Sequence, residues 1–102
     1  MNDKLLGMLG LAVRAGKVAF GVFLTQKAID EGKAKLVICS NDTGKSNKRA
    51  IEAKCEAKNV PIIFYSDKHS LSHAAGKKDI PALCVCDENF KDAIMKIYGG
   101  VQ

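Results

Sequence analysis

Leu36-Val-Ile-Cys-Ser-Asn-Asp-Thr-Gly-Lys-Ser-Asn-Lys-Arg-Ala50 holds a short apolar run, a polar loop and a lysine-rich stretch suited to a helix. Read as strand, loop and helix, it is one unit of an α/β fold. Its Gly44-Lys45-Ser46 also matches the end of a nucleotide-binding P-loop. The two readings part on one residue. A P-loop wraps backbone N–H groups around a phosphate and needs an early glycine, separated by four residues from Gly44. That position is Cys39, whose Cβ blocks the wrap and which serves better as the last residue of the strand. Asp42, Thr43 or Ser46 is then expected to cap the helix, with Lys45, Lys48 and Arg49 solvated near its start.

Working outward, the unit repeats. Towards the N-terminus, Leu5, Leu9 and Ala12, with Leu6 and Val13 beside them, mark one face of a helix from about residue 3 to 14, capped by Asn2 and ended at Gly16. Gly7 and Gly10 each cost that helix about 1 kcal/mol relative to Ala, which predicts tight helix-on-sheet contact on their side. Lys17 to Phe20 reads as a strand, and Gly21 opens a second helix that stops at Gly32. There Val22, Thr25 and Ile29 face the core, whereas Phe23, Lys27 and Asp30 fall on another face. Lys35 to Cys39 is a buried strand, and the next helix turns Ile51 and Cys55 inward until Asn59-Val-Pro61 breaks it. Ile62 to Tyr65 is a third strand, followed by a short helix from Ser66 as cap to Gly76. After the basic loop Lys77 to Pro81, Ala82 to Cys86 forms a fourth strand, and Asp87 caps a last helix with Phe90, Ile94 and Ile97 inward. Strands alternating with helices predict one sheet covered on both faces, an α/β/α sandwich in a single domain over residues 1–102.

The chain has 102 residues, 47% hydrophobic and 26% charged, the composition of one ordinary globular domain with a core of its own. Asp3 beside Lys4, and Arg14 after the apolar stretch, argue against a signal peptide, and no apolar run reaches the roughly 18 to 20 residues that span a bilayer. A soluble, cytoplasmic protein with reduced thiols is expected. The net charge is +5. From Arg14 to Arg49 there are eight Lys/Arg against three acids, and the remainder carries eight of each, so that segment holds the whole excess. Such a basic surface is the footprint of a nucleic-acid binder.

Catalytic and metal chemistry find little support. Cys84 and Cys86, two apart on a strand, lack the C-x2-4-C turn spacing of tetrahedral sites, and the four cysteines read as small core residues. His69 and His73 lie one helical turn apart without the glutamate that metalloprotease chemistry requires. No Ser/His/Asp, Cys/His or glycine-framed nucleophile is present, so the chain reads as noncatalytic, without cofactor or small-molecule substrate. The face of the second helix is more pointed. The N–H groups that open at Gly21 attract phosphate, Lys27 adds charge, and an exposed Phe23 can stack on an unpaired base.

Leu9-Gly-Leu-Ala-Val-Arg-Ala-Gly-Lys17, Gly21-x5-Lys27-Ala-Ile29, Gly32-Lys-Ala-Lys-Leu-Val-Ile38, Lys58-Asn-Val-Pro61 and Leu71-x4-Gly76 together resemble the ribosomal protein L-seven-Ae / L-thirty-e superfamily, in particular its small bacterial YlxQ-like branch. The resemblance runs from about residue 4 to 98. It implies a three-layer α/β/α sandwich with a mixed four-stranded sheet, and noncatalytic binding of structured RNA, commonly a kink-turn with tandem sheared G·A pairs. It further implies a ribosomal-protein-like partner such as ribosomal RNA or the ribosome, and a monomer. Carried over, Gly21, Val22, Phe23, Leu24 and Lys27 form the recognition helix start. Asn41 and Asp42 belong to a second contact loop, Lys33 and Lys35 add to the RNA face, and Ile80 supplies apolar contact from the loop Lys77 to Ala82. Where the best-characterised kink-turn binders read G·A edges with an Asn-Glu pair, this chain has Phe23 and Leu24, neither of which hydrogen-bonds a base edge. An apolar patch of Phe23, Leu24 and Ile80 also suits a protein–protein interaction module.

Overall fold

The computed structural model describes residues 3–100. Its elements run α1 (Lys4–Arg14), β1 (Val18–Phe20), α2 (Gly21–Asp30), β2 (Leu36–Cys39), α3 (Lys45–Lys58), β3 (Ile62–Phe64), α4 (Lys68–Ala75), β4 (Ala82–Val85) and α5 (Glu88–Gly100). The strands form one mixed sheet in the order β1-β4-β2-β3. β4 is antiparallel to both neighbours, with Phe20 opposite Leu83 and Cys39 opposite Ala82, and β2 runs parallel to β3. β2 and β4 are buried along their whole length, as their unbroken apolar runs require of central strands.

Side chains alternate across the sheet and separate two cores. Leu36, Ile38, Leu83 and Val85 pack with Leu5 and Leu9 of α1, Leu71 of α4 and Ile94 of α5. Val37, Cys39, Ala82 and Cys84 pack with Ile29 of α2 and Ile51 and Cys55 of α3. The chain is therefore an α/β/α sandwich. Burying a side chain of Leu or Ile size is worth about 1.5–3 kcal/mol, so the larger side chains make the first core the heavier one.

Several local expectations change. Asp3 caps α1, its Oδ1 accepting from the Leu6 amide at 3.0 Å, and its Oδ2 accepts from the Tyr65 hydroxyl at 2.9 Å; Asn2 lies outside the described residues. A Cβ on Gly10 would stand 3.6 Å from the Ala74 carbonyl of α4, so close approach there is to a helix rather than the sheet, and one on Gly7 would meet nothing. Asp67, not Ser66, caps α4, accepting from the Ser70 amide at 2.7 Å, while Ser66 sits in the left-handed region. Asp87 does cap α5, accepting from the Phe90 amide.

Candidate nucleic-acid interface

Because β1 and β2 both oppose β4, they point the same way, and the helices that follow them start at the same edge of the sheet. α2 begins at Gly21, whose φ of +88° suits glycine. Its N-cap, Phe20, offers no side-chain hydrogen bond and its first turn no acid. α3 begins after Gly44 in the same state, since none of Asp42, Thr43 and Ser46 caps it as the sequence led us to expect. Asp42 instead accepts from the Lys68 amide at 3.0 Å, and the Thr43 hydroxyl donates to the carbonyls of Ser40 and Pro81. Two helix N-termini thus present N–H groups that no side chain caps among the described residues, the arrangement that draws anions.

Between these helix starts hangs the α4–β4 loop. The Ser40 amide donates to Pro81 O at 2.7 Å, and the Ile80 amide donates to the Ser72 hydroxyl at 2.7 Å. The Asn41 amide donates to Ser66 O at 2.7 Å. The Lys77 ammonium stands 4.9 Å from the centre of the Phe20 ring, next to Gly21, and Lys48 stands equally close over Phe64. Asp42 and Asp79 are the negative exceptions: Asp79, exposed in the α4–β4 loop, pairs with Lys68 at 3.8 Å, and the Ser40 hydroxyl, then the Lys68 amide, hold the Asp42 carboxyl below the ordinary value.

Most of the residues singled out in the sequence meet at this edge. Phe23 is 76% exposed and Leu24 45% exposed, so Phe23 does not cover the core. Lys27 is exposed on the same helix, with Asn41 and Asp42 exposed in the loop above α3, whereas Val22 is half-buried against the α2/α3 core. Ile80 is half-buried against the larger core. Lys33 and Lys35 are not brought here. They precede β2, at the sheet end where the Lys35 amide donates to Val85 O, and Lys33 pairs with Glu31 at 3.3 Å. At the start of α3, residue patterning placed the lysines but missed the uncapped N–H groups. Their signal was the lack of any acid among Lys45, Ser46 and Asn47 after a glycine.

The described residues hold no cluster of three or more His, Cys, Asp or Glu able to bind a metal, and no helix long and apolar enough to cross a membrane. Burial pushes the thiols of Cys39 and Cys55 up to about 12 and about 11, which leaves both neutral.

Residues 3–95 match the model of the ribosomal protein L7Ae/L30e/S12e/Gadd45 family. The chain is similar to the RNA-binding protein YlxQ of Bacillus subtilis (strain 168), 30% identical over 90 residues that cover 88% of this chain and 90% of that one. It is also similar to the RNA-binding protein YlxQ of Enterococcus faecium, 32% identical over 76 residues, 74% of each. Among solved structures, a Bacillus halodurans protein of unknown function superposes with a TM-score of 0.92 at 30% identity, covering 96% of this chain and 99% of that one. The Giardia lamblia 15.5kD RNA binding protein shares the fold, with a TM-score of 0.74 at 23% identity over 99% and 90% of the two chains. By this match over nearly its whole length, the chain belongs to the ribosomal protein L7Ae/L30e/S12e/Gadd45 family, on its YlxQ-like branch.

Proposed function

We propose that the chain is a noncatalytic, cytoplasmic RNA-binding protein that grips structured, kink-turn-like RNA as a monomer. The observation that carries this reading is the pairing of two uncapped helix starts with an exposed aromatic at one sheet edge. Backbone amides at Gly21 and after Gly44 hold phosphates, Lys27, Lys45 and Lys48 add attraction, Phe23 stacks on an unpaired base, and Asn41 and Ile80 bound the site. Phe23 and Leu24 cannot read base edges, so recognition is of shape and phosphate. Lys33 and Lys35 stand outside the face. The relatives named RNA-binding protein YlxQ support the RNA partner.

Titration against a kink-turn RNA and the same RNA with its G·A pairs replaced tests the reading. Tighter binding of the first is expected; equal affinity refutes kink-turn recognition. Lys27→Ala should weaken all RNAs alike and reduce the salt slope by about one unit, and an unchanged slope removes Lys27 from the interface. The exposure of Phe23 and Leu24 also supports a competing reading, a protein partner on that patch. With no Trp and two Tyr in the chain, bound nucleic acid would show plainly in the 260/280 absorbance ratio of protein purified at low salt, and a ratio of protein alone would favour the protein partner.

A further inference from the structure

Two clefts lie along α4 and adjoin at His69 and His73, which line both from positions one helical turn apart. The larger, about 860 Å³, opens between α1 and α4, with Lys4, Leu6 and Gly7 on one side and Ser66 and Ala74 on the other. The smaller, about 440 Å³, lies between α4 and the loop that follows it, lined by Lys68, Ser72, Lys77, Lys78 and Asp79. Together they make one trough. It runs from the start of α1 to Lys77, whose ammonium stands 4.9 Å from the centre of the Phe20 ring beside Gly21.

The acids of the trough are already occupied. Both oxygens of Asp3 are taken, one by the Leu6 amide and one by the Tyr65 hydroxyl, and Asp79 pairs with Lys68 at 3.8 Å. No acid pairs with Lys4, Lys77 or Lys78 among the described residues, so the trough is positive. Its two parts differ in kind. Lysines crowd the smaller cleft, which suits phosphate, whereas Leu6, Gly7 and Ala74 give the larger an apolar side with imidazoles at its rim, the surroundings an unpaired base takes. Gly7 is the telling member. Glycine inside a helix is destabilising, and a Cβ at Gly7 would meet nothing, so no packing within the fold explains it. What the glycine does is keep the cleft open.

We infer that the trough along α4 takes a single-stranded RNA segment that continues from the structured RNA at the helix starts, with an unpaired base in the α1/α4 cleft and backbone phosphates on Lys77 and Lys78. This rests on the RNA reading and adds to it a second contact that tolerates any sequence. The base lies against Leu6 and Ala74 in the space that Gly7 leaves, and Lys4 meets the phosphate beyond it. His69 and His73, shared by both clefts, stand between base and phosphate. Three lysines without acidic partners match a polyanion, and the apolar cleft next to them matches the bases that such a chain carries once it leaves a helix. Lys77 joins the two contacts, since it lines the trough at one end and reaches the start of α2 at the other.

Fluorescence anisotropy of the full chain tests it with a kink-turn RNA, versions of that RNA extended at either end by about six adenosines, and the adenosine tail alone. The parent should bind one of the extended RNAs about tenfold more tightly than the unextended one. Gly7→Leu fills the cleft and should abolish that gain, while binding the unextended RNA like the parent and melting no lower. Lys78→Ala should reduce the salt slope for the extended RNA by about 0.7 and leave that for the unextended RNA unchanged; it serves if Gly7→Leu does not fold. No gain from either extension, or a gain that survives both substitutions, overturns the inference and leaves the kink-turn reading standing. Binding of the tail alone that Gly7→Leu abolishes, without preference for the kink-turn, supports the trough and refutes kink-turn recognition. A chain that binds none of these RNAs refutes both.

Discussion

Gly21 and Gly7 receive the same substitution and should answer with opposite signs. Gly21 opens α2 at φ +88°, and a Cβ built there meets no atom within 4 Å. Steric clash therefore contributes nothing to the cost of Gly21→Ala, which comes entirely from forcing an L-residue into a left-handed backbone, about 1–2 kcal/mol. Gly7 lies in the middle of α1, exposed, without positive φ and with nothing within 4 Å of its Cβ position. Gly7→Ala restricts the unfolded chain, adds helix propensity and meets no obstacle, so it should stabilise by about 0.5–1 kcal/mol. The two variants should differ by about 1.5–3 kcal/mol when these ranges are combined. Urea denaturation followed by far-UV circular dichroism measures this, with a common slope confirming that only stability has changed. In a thermal scan Gly21→Ala should melt roughly 4–16 °C below the parent, at about 4–8 °C per kcal/mol for a chain of this size. Gly21→Asn should cost less, because Asn tolerates the left-handed region. A Gly21→Ala protein as stable as its parent would show that the helix start accepts an ordinary residue, and that glycine does not fix the amides offered to phosphate. A destabilised Gly7→Ala would refute the same reasoning from the other side.

Three further substitutions probe the surroundings. Asp3→Ala removes both the α1 cap and the acceptor of the Tyr65 hydroxyl, and should cost about 1–2 kcal/mol by chemical denaturation; combined with Tyr65→Phe it should cost less than the sum of the two. The Thr25 hydroxyl is fully buried and has no hydrogen-bond partner among the described residues, so Thr25→Val, which keeps the shape, should raise the urea midpoint by the equivalent of about 1 kcal/mol. Phe23→Ala should leave the melting temperature unchanged, since the ring is 76% exposed, and should weaken binding of single-stranded or looped RNA by about 1–3 kcal/mol if it stacks on a base. Unaltered affinity would remove Phe23 from the interface.

The identity and order of the elements were legible because each announces itself locally. Unbroken runs such as Leu36 to Cys39 read as buried strands, and the period of α2 alone separated Thr25 and Ile29 from Phe23 and Lys27. Caps were less legible. Aspartates stand beside other capping residues at both places, and only the three-dimensional path decides that Asp3 and Asp67 reach the first-turn amides. Strand order was not legible in the residues at all. Nothing in Ala82 to Val85 states that it enters between β1 and β2, since that depends on which edge each crossover leaves open. Lys33 and Lys35 were drawn into the candidate face for the same reason. They are close in sequence to Asn41, but four residues of β2 carry the chain from one end of the sheet to the other.

That inserted strand also resolves the resemblance of Gly44-Lys45-Ser46 to a phosphate cradle. Neighbouring strands lie about 4.7–4.9 Å apart, so β1 and β2, with β4 between them, are separated by roughly 10 Å. Helices α2 and α3, packed in one layer, take a similar spacing of about 8–10 Å. The two uncapped starts are thus too far apart to clasp adjacent phosphates of one nucleotide, and without an early glycine neither is wrapped into a loop that could do so alone. On the proposed RNA reading, that spacing suits separate phosphates of a longer, folded polyanion, with the Lys77–Pro81 loop between them. A mononucleotide would satisfy one helix start and leave the other empty, whereas a bent strand engages both. The geometry that argues against the P-loop is the same geometry on which the proposed reading of structured-RNA binding rests.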